Sequence, residues 1–180
     1  MAAKNAYEEW MKAEFNTQID SLELTDPQKT YLRSRWLDQM LWMSKRADSS
    51  RRNYYRVKII TILAGVLVPV LVTSTFGGSV DGILRFTAVI LGLLIAASNG
   101  LNEFFKYGDK WHSYRNGSEV LKAEWWYFYS LTGRYENKTH PSGFADFAEK
   151  VESVIRMDVK TYMTEIAKDN KGEKTKKDNG

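Results

Sequence analysis

Cysteine is absent from the 180 residues, which excludes disulfides and thiolate metal sites and leaves the compartment unreadable from redox chemistry. Histidine is scarce: His112 and His140 have no credible nucleophile or metal-ligand partner nearby in the sequence. No phosphate loop or dinucleotide fingerprint occurs, so the chain is not expected to be an enzyme, and no resident cofactor is expected. Proline is limited to Pro27, Pro69 and Pro141, so helices meet few enforced stops. The stretch from Met1 to Phe15 holds Glu8, Glu9 and Glu14 and no long apolar core, and no cleavable signal peptide is expected. A net charge of +4 is too small a bias to argue for nucleic acid. Charged residues make up 27% of the chain and mean hydropathy is −0.44, values that by themselves describe a water-soluble protein. That average hides two blocks from which charge is almost missing.

The first block, Ile59 to Thr75, contains no charge and is long enough for a short membrane span. Pro69 lies within it, where a membrane helix tolerates proline if neighbours satisfy the freed carbonyl. Phe76-Gly77-Gly78-Ser79 reads as a turn, and Asp81 as a cap for the helix after it. The second block, Ile83 to Leu101, is interrupted only by Arg85 and Asn99. Ahead of these blocks, Tyr7, Met11, Phe15, Ile19 and Leu22 recur at helical spacing over residues 1–24. Thr25-Asp26-Pro27 then caps a helix of about 50 residues, roughly 75 Å long, whose last part is the first span. A second helix of similar length is expected to run unbroken to a stop at Gly133. The predicted layout is an amphipathic helix at 1–24, an arm at 25–58, spans at 59–75 and 83–107 joined by a turn at 76–82, a second arm at 108–133, an amphipathic helix at 142–167 and a disordered basic tail at 168–180. The predicted fold class is an all-α membrane protein, a long antiparallel hairpin extending into a helical bundle.

Lys45, Arg46, Arg51, Arg52, Arg56 and Lys58 precede the first apolar block, and Lys106, Lys110 and Arg115 come after the second. Between the spans Arg85 alone is basic, with Asp81 one helical turn before it. Basic flanks mark the cytoplasmic side, so a multi-pass protein of the inner membrane with both termini inside is expected. The same charges would meet the anionic inner leaflet. On the second arm Trp111, Tyr114, Ser118, Leu121, Trp125, Phe128 and Thr132 alternate steps of three and four, the spacing of a coiled-coil seam. Leu32, Trp36, Met40, Met43 and Ala47 form a matching stripe on the first arm, and the terminal helices are expected to cover both. The run Trp125 to Tyr129 is aromatic on every side, which suits either a subunit interface or packing against the terminal helices.

Tyr31-Leu32 with Arg35-Trp36, the Tyr54-Tyr55 pair ahead of a span containing Pro69, and Trp111, Tyr114-Arg115, Glu119, Leu121 and Glu124 after the second span resemble the bacterial SLATT group. Those are two-transmembrane proteins placed beside nucleotide-sensing domains in conflict systems, together with related cyanobacterial domains of unknown function. The likeness covers about residues 25–135 and includes no catalytic signature. It implies a pore-forming or channel-like membrane protein acting as an effector; no sensor domain accompanies it in this chain.

Along the second span Arg85, Val89, Gly92, Ala96, Asn99 and Glu103 rise on one face, with Asn102 beside Glu103. In a ring of subunits Asn99, Asn102 and Glu103 would stack amide and carboxylate oxygens near the inner mouth, a chemistry that concentrates cations. Hard ions such as calcium favour those ligands, which makes Glu103 the candidate metal contact. Asp81 and Arg85 would form the outer mouth. Trp111, Tyr114, Arg115, Glu119 and Glu124 are the candidate cytoplasmic network, with Arg115 and Glu119 spaced to pair on one helix. The function expected is a homo-oligomeric cation channel of four or five copies. The alternatives are a non-conducting membrane scaffold and a signal-gated pore effector.

Overall fold

The computed structural model describes residues 2–73 and 79–157, and among these every regular element is helical. The expected turn at Phe76-Gly77-Gly78, the C-terminal helix beyond residue 157, the basic tail and the Tyr7 side chain lie outside the described residues. Helix α1 is Ala2–Ser21. Helix α2 begins α-helical over Asp26–Tyr31, widens to a π-turn over Leu32–Leu37 and continues over Asp38–Thr73. Helix α3 is Ser79–Phe105, helix α4 is Tyr107–Tyr129, a 3₁₀ turn covers Gly133–Tyr135, and helix α5 occupies 140–157. The chain divides into two compact units: residues through Lys45 together with those from Ser113 onward, and Arg46–His112.

The start of α2 is set locally, as its residues predict. The Gln28 side chain accepts hydrogen bonds from the Thr25 backbone N–H at 3.0 Å and its hydroxyl at 3.1 Å, with Pro27 in the first turn. The second long helix differs from expectation. It is parted at Lys106, whose φ of 46° is left-handed, although Lys106 N–H still reaches the Asn102 carbonyl at 2.9 Å. Its end also moves. Leu131, at φ 51°, closes α4, with its own N–H on the Phe128 carbonyl at 3.3 Å and the Thr132 N–H on the Tyr127 carbonyl at 3.0 Å. This is a Schellman cap with leucine in the place usually taken by glycine. Gly133, expected as the stop, instead supplies a φ of 61° for the next turn.

In the first unit four helical segments enclose an aromatic core. The seam residues Leu32, Trp36, Met40 and Met43 of α2 and Ser118, Leu121, Trp125 and Phe128 of α4 are all fully buried, as the three-four spacing requires. The segments run antiparallel: Trp36 Nε1–H donates to the Leu121 carbonyl at 3.1 Å, and Ser118 Oγ to the Met40 carbonyl at 3.3 Å. Close approach at Gly117 is needed, because a Cβ there would sit 2.9 Å from Met43 Sδ. Trp36 and Trp125 stack with centroids 4.3 Å apart. Phe15 of α1 meets them edge-on at 5.3 and 6.2 Å, and Phe147 of α5 at 6.1 and 6.2 Å. The terminal helices thus cover the seam. Of the run from Trp125 to Tyr129, Trp125 and Phe128 are buried inside the chain, Tyr129 is half-buried, and Trp126 and Tyr127 stay exposed.

Truncating the stacked ring empties the centre of this core. Trp36→Ala is expected to lower unfolding free energy by about 3–5 kcal/mol in denaturant titrations. Trp126→Ala, on the exposed side of the same run, should change it by about 0.5 kcal/mol or less. Similar losses in both variants would show that the stack is not the centre of stability.

Candidate functional site

The second unit is built from the distal part of α2, all of α3 and the first turns of α4. Two helices in it are long and apolar enough to cross a membrane, and only 6% of the strongest apolar window of each is buried. Their least exposed positions follow a three-four spacing. On α2 these are Tyr54, Val57, Thr61, Ala64, Val68 and Leu71; on α3 they are Leu84, Ala88, Leu91, Ile95, Ser98 and Asn102. The two alanines are the most buried of these, at 4% and 5% exposure. Gly92 meets nothing within 4 Å of a built Cβ, so the hairpin does not use it for close helix approach. Inside the first apolar stretch, Pro69 removes the donor that the Gly65 carbonyl would have accepted. Thr73 Oγ1 bonds back to the Pro69 carbonyl at 2.8 Å.

The polar residues of α3 fall on two different faces. Arg85, Asn99 and Glu103 are exposed on a flank about 100° around the helix from the seam, in line with Val89 and Ala96. Asn102, grouped with Asn99 and Glu103 by sequence, lies on the seam itself, and its Oδ1 is buried with no hydrogen-bond partner among the described residues. Asp81 is half-buried and Arg85 exposed at the far end of the helix. Among the described residues no group of three His, Cys, Asp or Glu side chains is placed to hold a metal, so Glu103 of a single chain is not part of a preformed cage. At the other end aromatics gather: Trp111 lies 6.3 Å from Tyr54 and 6.1 Å from Tyr55, and Phe105 stacks on Tyr107 at 5.3 Å.

The five residues of the expected cytoplasmic network are dispersed. Arg115 and Glu119 form the anticipated pair at 2.8 Å, joined by Lys122 at 3.5 Å, on an exposed face. Tyr114 packs edge-on against Trp42 at 5.5 Å. Trp111 belongs to the second unit, where it packs on the tyrosine pair and on His112. Glu124 is buried at 5% exposure and accepts the Tyr135 hydroxyl at 2.5 Å, with Arg134 Nε at 3.5 Å. That bond and burial push the Tyr135 phenol well above its usual range, burial being the larger cause.

A further cluster joins the motif residues Tyr31 and Arg35, for which the sequence implied no site role, to Glu152, a residue no motif singled out. Arg35 Nε and Nη2 each reach a Glu152 oxygen at 2.8 Å, and Tyr31 donates its hydroxyl to Glu152 Oε1 at 3.1 Å. Arg35's two bonds hold the Glu152 carboxyl below the ordinary carboxylate range, against a smaller opposing effect of burial. Burial, then the bond to Glu152, pushes the Tyr31 phenol up. No local spacing announces this clamp, since its partners stand 117 and 121 residues apart.

The family model for proteins of unknown function designated DUF4231 matches residues 38–143, well over half of the chain. The chain belongs to the DUF4231 family. The DUF4231 match takes in both apolar helices, Asn99, Asn102, Glu103 and all five residues of the expected network. Helix α1, the Tyr31–Arg35 end of α2 and the Glu152 end of α5 fall outside it. No curated protein and no solved structure matches the chain. Likeness to the SLATT group is carried by the quoted motif residues alone.

The clamp has a pH signature. Glu152 titrates lower in the folded chain than in the unfolded one, so its stabilising contribution is present above the unfolded value, about 4.3, and is lost as pH falls through the folded value. Arg35 and Glu152 side chains are 44% and 27% exposed, which limits the effect to about 1 kcal/mol. Glu152→Gln is therefore expected to be about 1 kcal/mol less stable near neutrality, with the difference closing in denaturant titrations below about pH 4. A difference that persists at acid pH would show a packing effect instead.

Proposed function

We propose that the chain is a membrane-spanning hairpin of the inner membrane, with both termini in the cytoplasm, that assembles with copies of itself into a cation-conducting pore. The observation that carries this reading is the outward face of α3, where exposed Asn99 and Glu103 sit in line on a helix whose other outward residues are mostly apolar. Exposed Ile62, Leu63, Val66, Ile83, Phe86 and Leu93 far exceed the apolar patch that a soluble monomer shows to water. Lipid is the solvent that suits them. An amide and a carboxylate at the end of such a helix are costly against lipid and favourable around a shared aqueous axis. A ring of four or five copies would bring the Asn99 and Glu103 side chains together there. Carboxylate rings draw cations, and calcium is among the ions such oxygens favour. Asn102 is assigned to the seam between the two helices rather than to the conduction path.

A second reading, a membrane-anchored scaffold without a path, draws on exposed Trp126 and Tyr127, a surface suited to a protein partner. A signal-gated effector is the same pore held shut until a partner acts, and it rests on the SLATT likeness.

Ion flux through purified protein in liposomes separates these readings. Wild type is expected to pass Ca²⁺, K⁺ or Na⁺ above empty liposomes, with Glu103→Gln reducing the flux or changing the ion preference. Asn99→Ala should shift the preference in its own way, whereas Trp126→Ala should leave both properties unchanged. Absence of flux from folded, inserted protein would favour the scaffold or a pore held shut without its signal, and unaltered selectivity in both span variants would remove Asn99 and Glu103 from the path.

A further inference from the structure

The cations at the base of the first span do not serve the hairpin's internal packing. Arg51, Arg52, Arg56 and Lys58 are all exposed, and no side chain of the four forms a hydrogen bond or ion pair among the described residues. They also lie away from the seam, which at this level is Tyr54, Val57 and Thr61.

Their arrangement along α2 is ordered. Arg51, Tyr55, Lys58 and Ile62 succeed one another at steps of four, three and four, forming one row on the helix surface. Arg52, Arg56, Ile59 and Leu63 form a neighbouring row with the same steps. Each row starts with cations and ends on an exposed aliphatic side chain; Ile59, Ile62 and Leu63 are 54%, 55% and 59% exposed. Tyr55, 49% exposed, lies between Arg51 and Lys58 in the first row. Over about three helical turns the surface thus passes from one matching phosphate to one matching hydrocarbon.

We propose that this face of α2 seats an anionic phospholipid, with the phosphate on Arg51, Arg52 and Arg56 and the acyl chains along Ile59, Ile62 and Leu63. The proposal rests on the membrane reading above and adds a specific lipid class and place to it. Guanidinium forks bind phosphate oxygens bidentately, which favours arginine here over a diffuse lysine cloud. A soluble phosphate ester would use only the upper half of the surface. The aliphatic continuation of both rows is what commits the site to a lipid. The cations also suit a topology signal, but that role needs neither this alignment nor a preference for one headgroup.

The test uses the full chain in nanodiscs of phosphatidylcholine, with and without added phosphatidylglycerol, and tracks thermal unfolding. Phosphatidylglycerol is expected to raise the wild-type midpoint. The variant Arg51→Gln/Arg52→Gln/Arg56→Gln should match wild type in phosphatidylcholine alone, yet need about tenfold more phosphatidylglycerol for the same rise. Arg85→Gln, at the opposite end of the hairpin, should respond as wild type does. An equal rise in the triple variant, or none in wild type, overturns the lipid site and leaves the membrane reading standing. Protein released from both lipid mixtures by alkaline carbonate overturns the membrane reading and the site together. Glycerophosphoglycerol, the headgroup without its chains, should have no effect; a rise equal to the lipid's would overturn the assignment to a lipid.

Discussion

The stack of Trp36 on Trp125 is the contact from which the first unit is organised. Each terminal helix lays a phenylalanine edge-on against both indoles, Phe15 from α1 and Phe147 from α5. Edge-on rings complement the stacked faces electrostatically as well as filling volume. The stack also depends on backbone detail. A π-turn over Leu32–Leu37 carries Trp36 and Leu37 together into the core while Arg35 emerges toward Glu152. One widened turn therefore sets both the apolar centre and the polar clamp that ties α5 to α2.

Burying Glu124 beside these rings would be costly for a lone carboxylate. The Tyr135 hydroxyl and Arg134 supply the compensation, and both come from the short turn after α4. That turn is positioned by the left-handed Leu131, which reverses the chain soon enough to bring Tyr135 back over Glu124. The end of a helix, a buried charge and a buried tyrosine are in this way one structural unit.

The two units use the same three-four periodicity under opposite conditions. In the first, large aromatic side chains on the seam are sealed by the terminal helices. In the second, small and aliphatic residues line a narrow seam, and the remaining apolar surface faces outward. Such surface carries about 25 cal/mol of transfer free energy per Å² against water, so some other medium or surface is required to cover it. On the proposed reading that medium is lipid, and the headgroup level is marked by exposed arginines and the Tyr54, Tyr55 and Trp111 cluster.

The residues by themselves determined whatever acts over a turn or two of helix. The seam positions from Leu32 to Met43 and from Ser118 to Phe128, the Thr25–Gln28 cap, the Arg115–Glu119 pair and the two charge-poor helices all arise from spacing and local chemistry. The tertiary structure decided whatever joins distant segments or depends on which helix face is already occupied. The Tyr31–Arg35–Glu152 clamp needs α5 laid beside α2, the π-turn appears only with the core it serves, and the stop at Leu131 comes with the return of Tyr135 to Glu124. Asn102 parts from Asn99 and Glu103 for the same reason. Periodicity groups residues on a helix surface, but only a neighbouring helix makes one face a seam and leaves the other open.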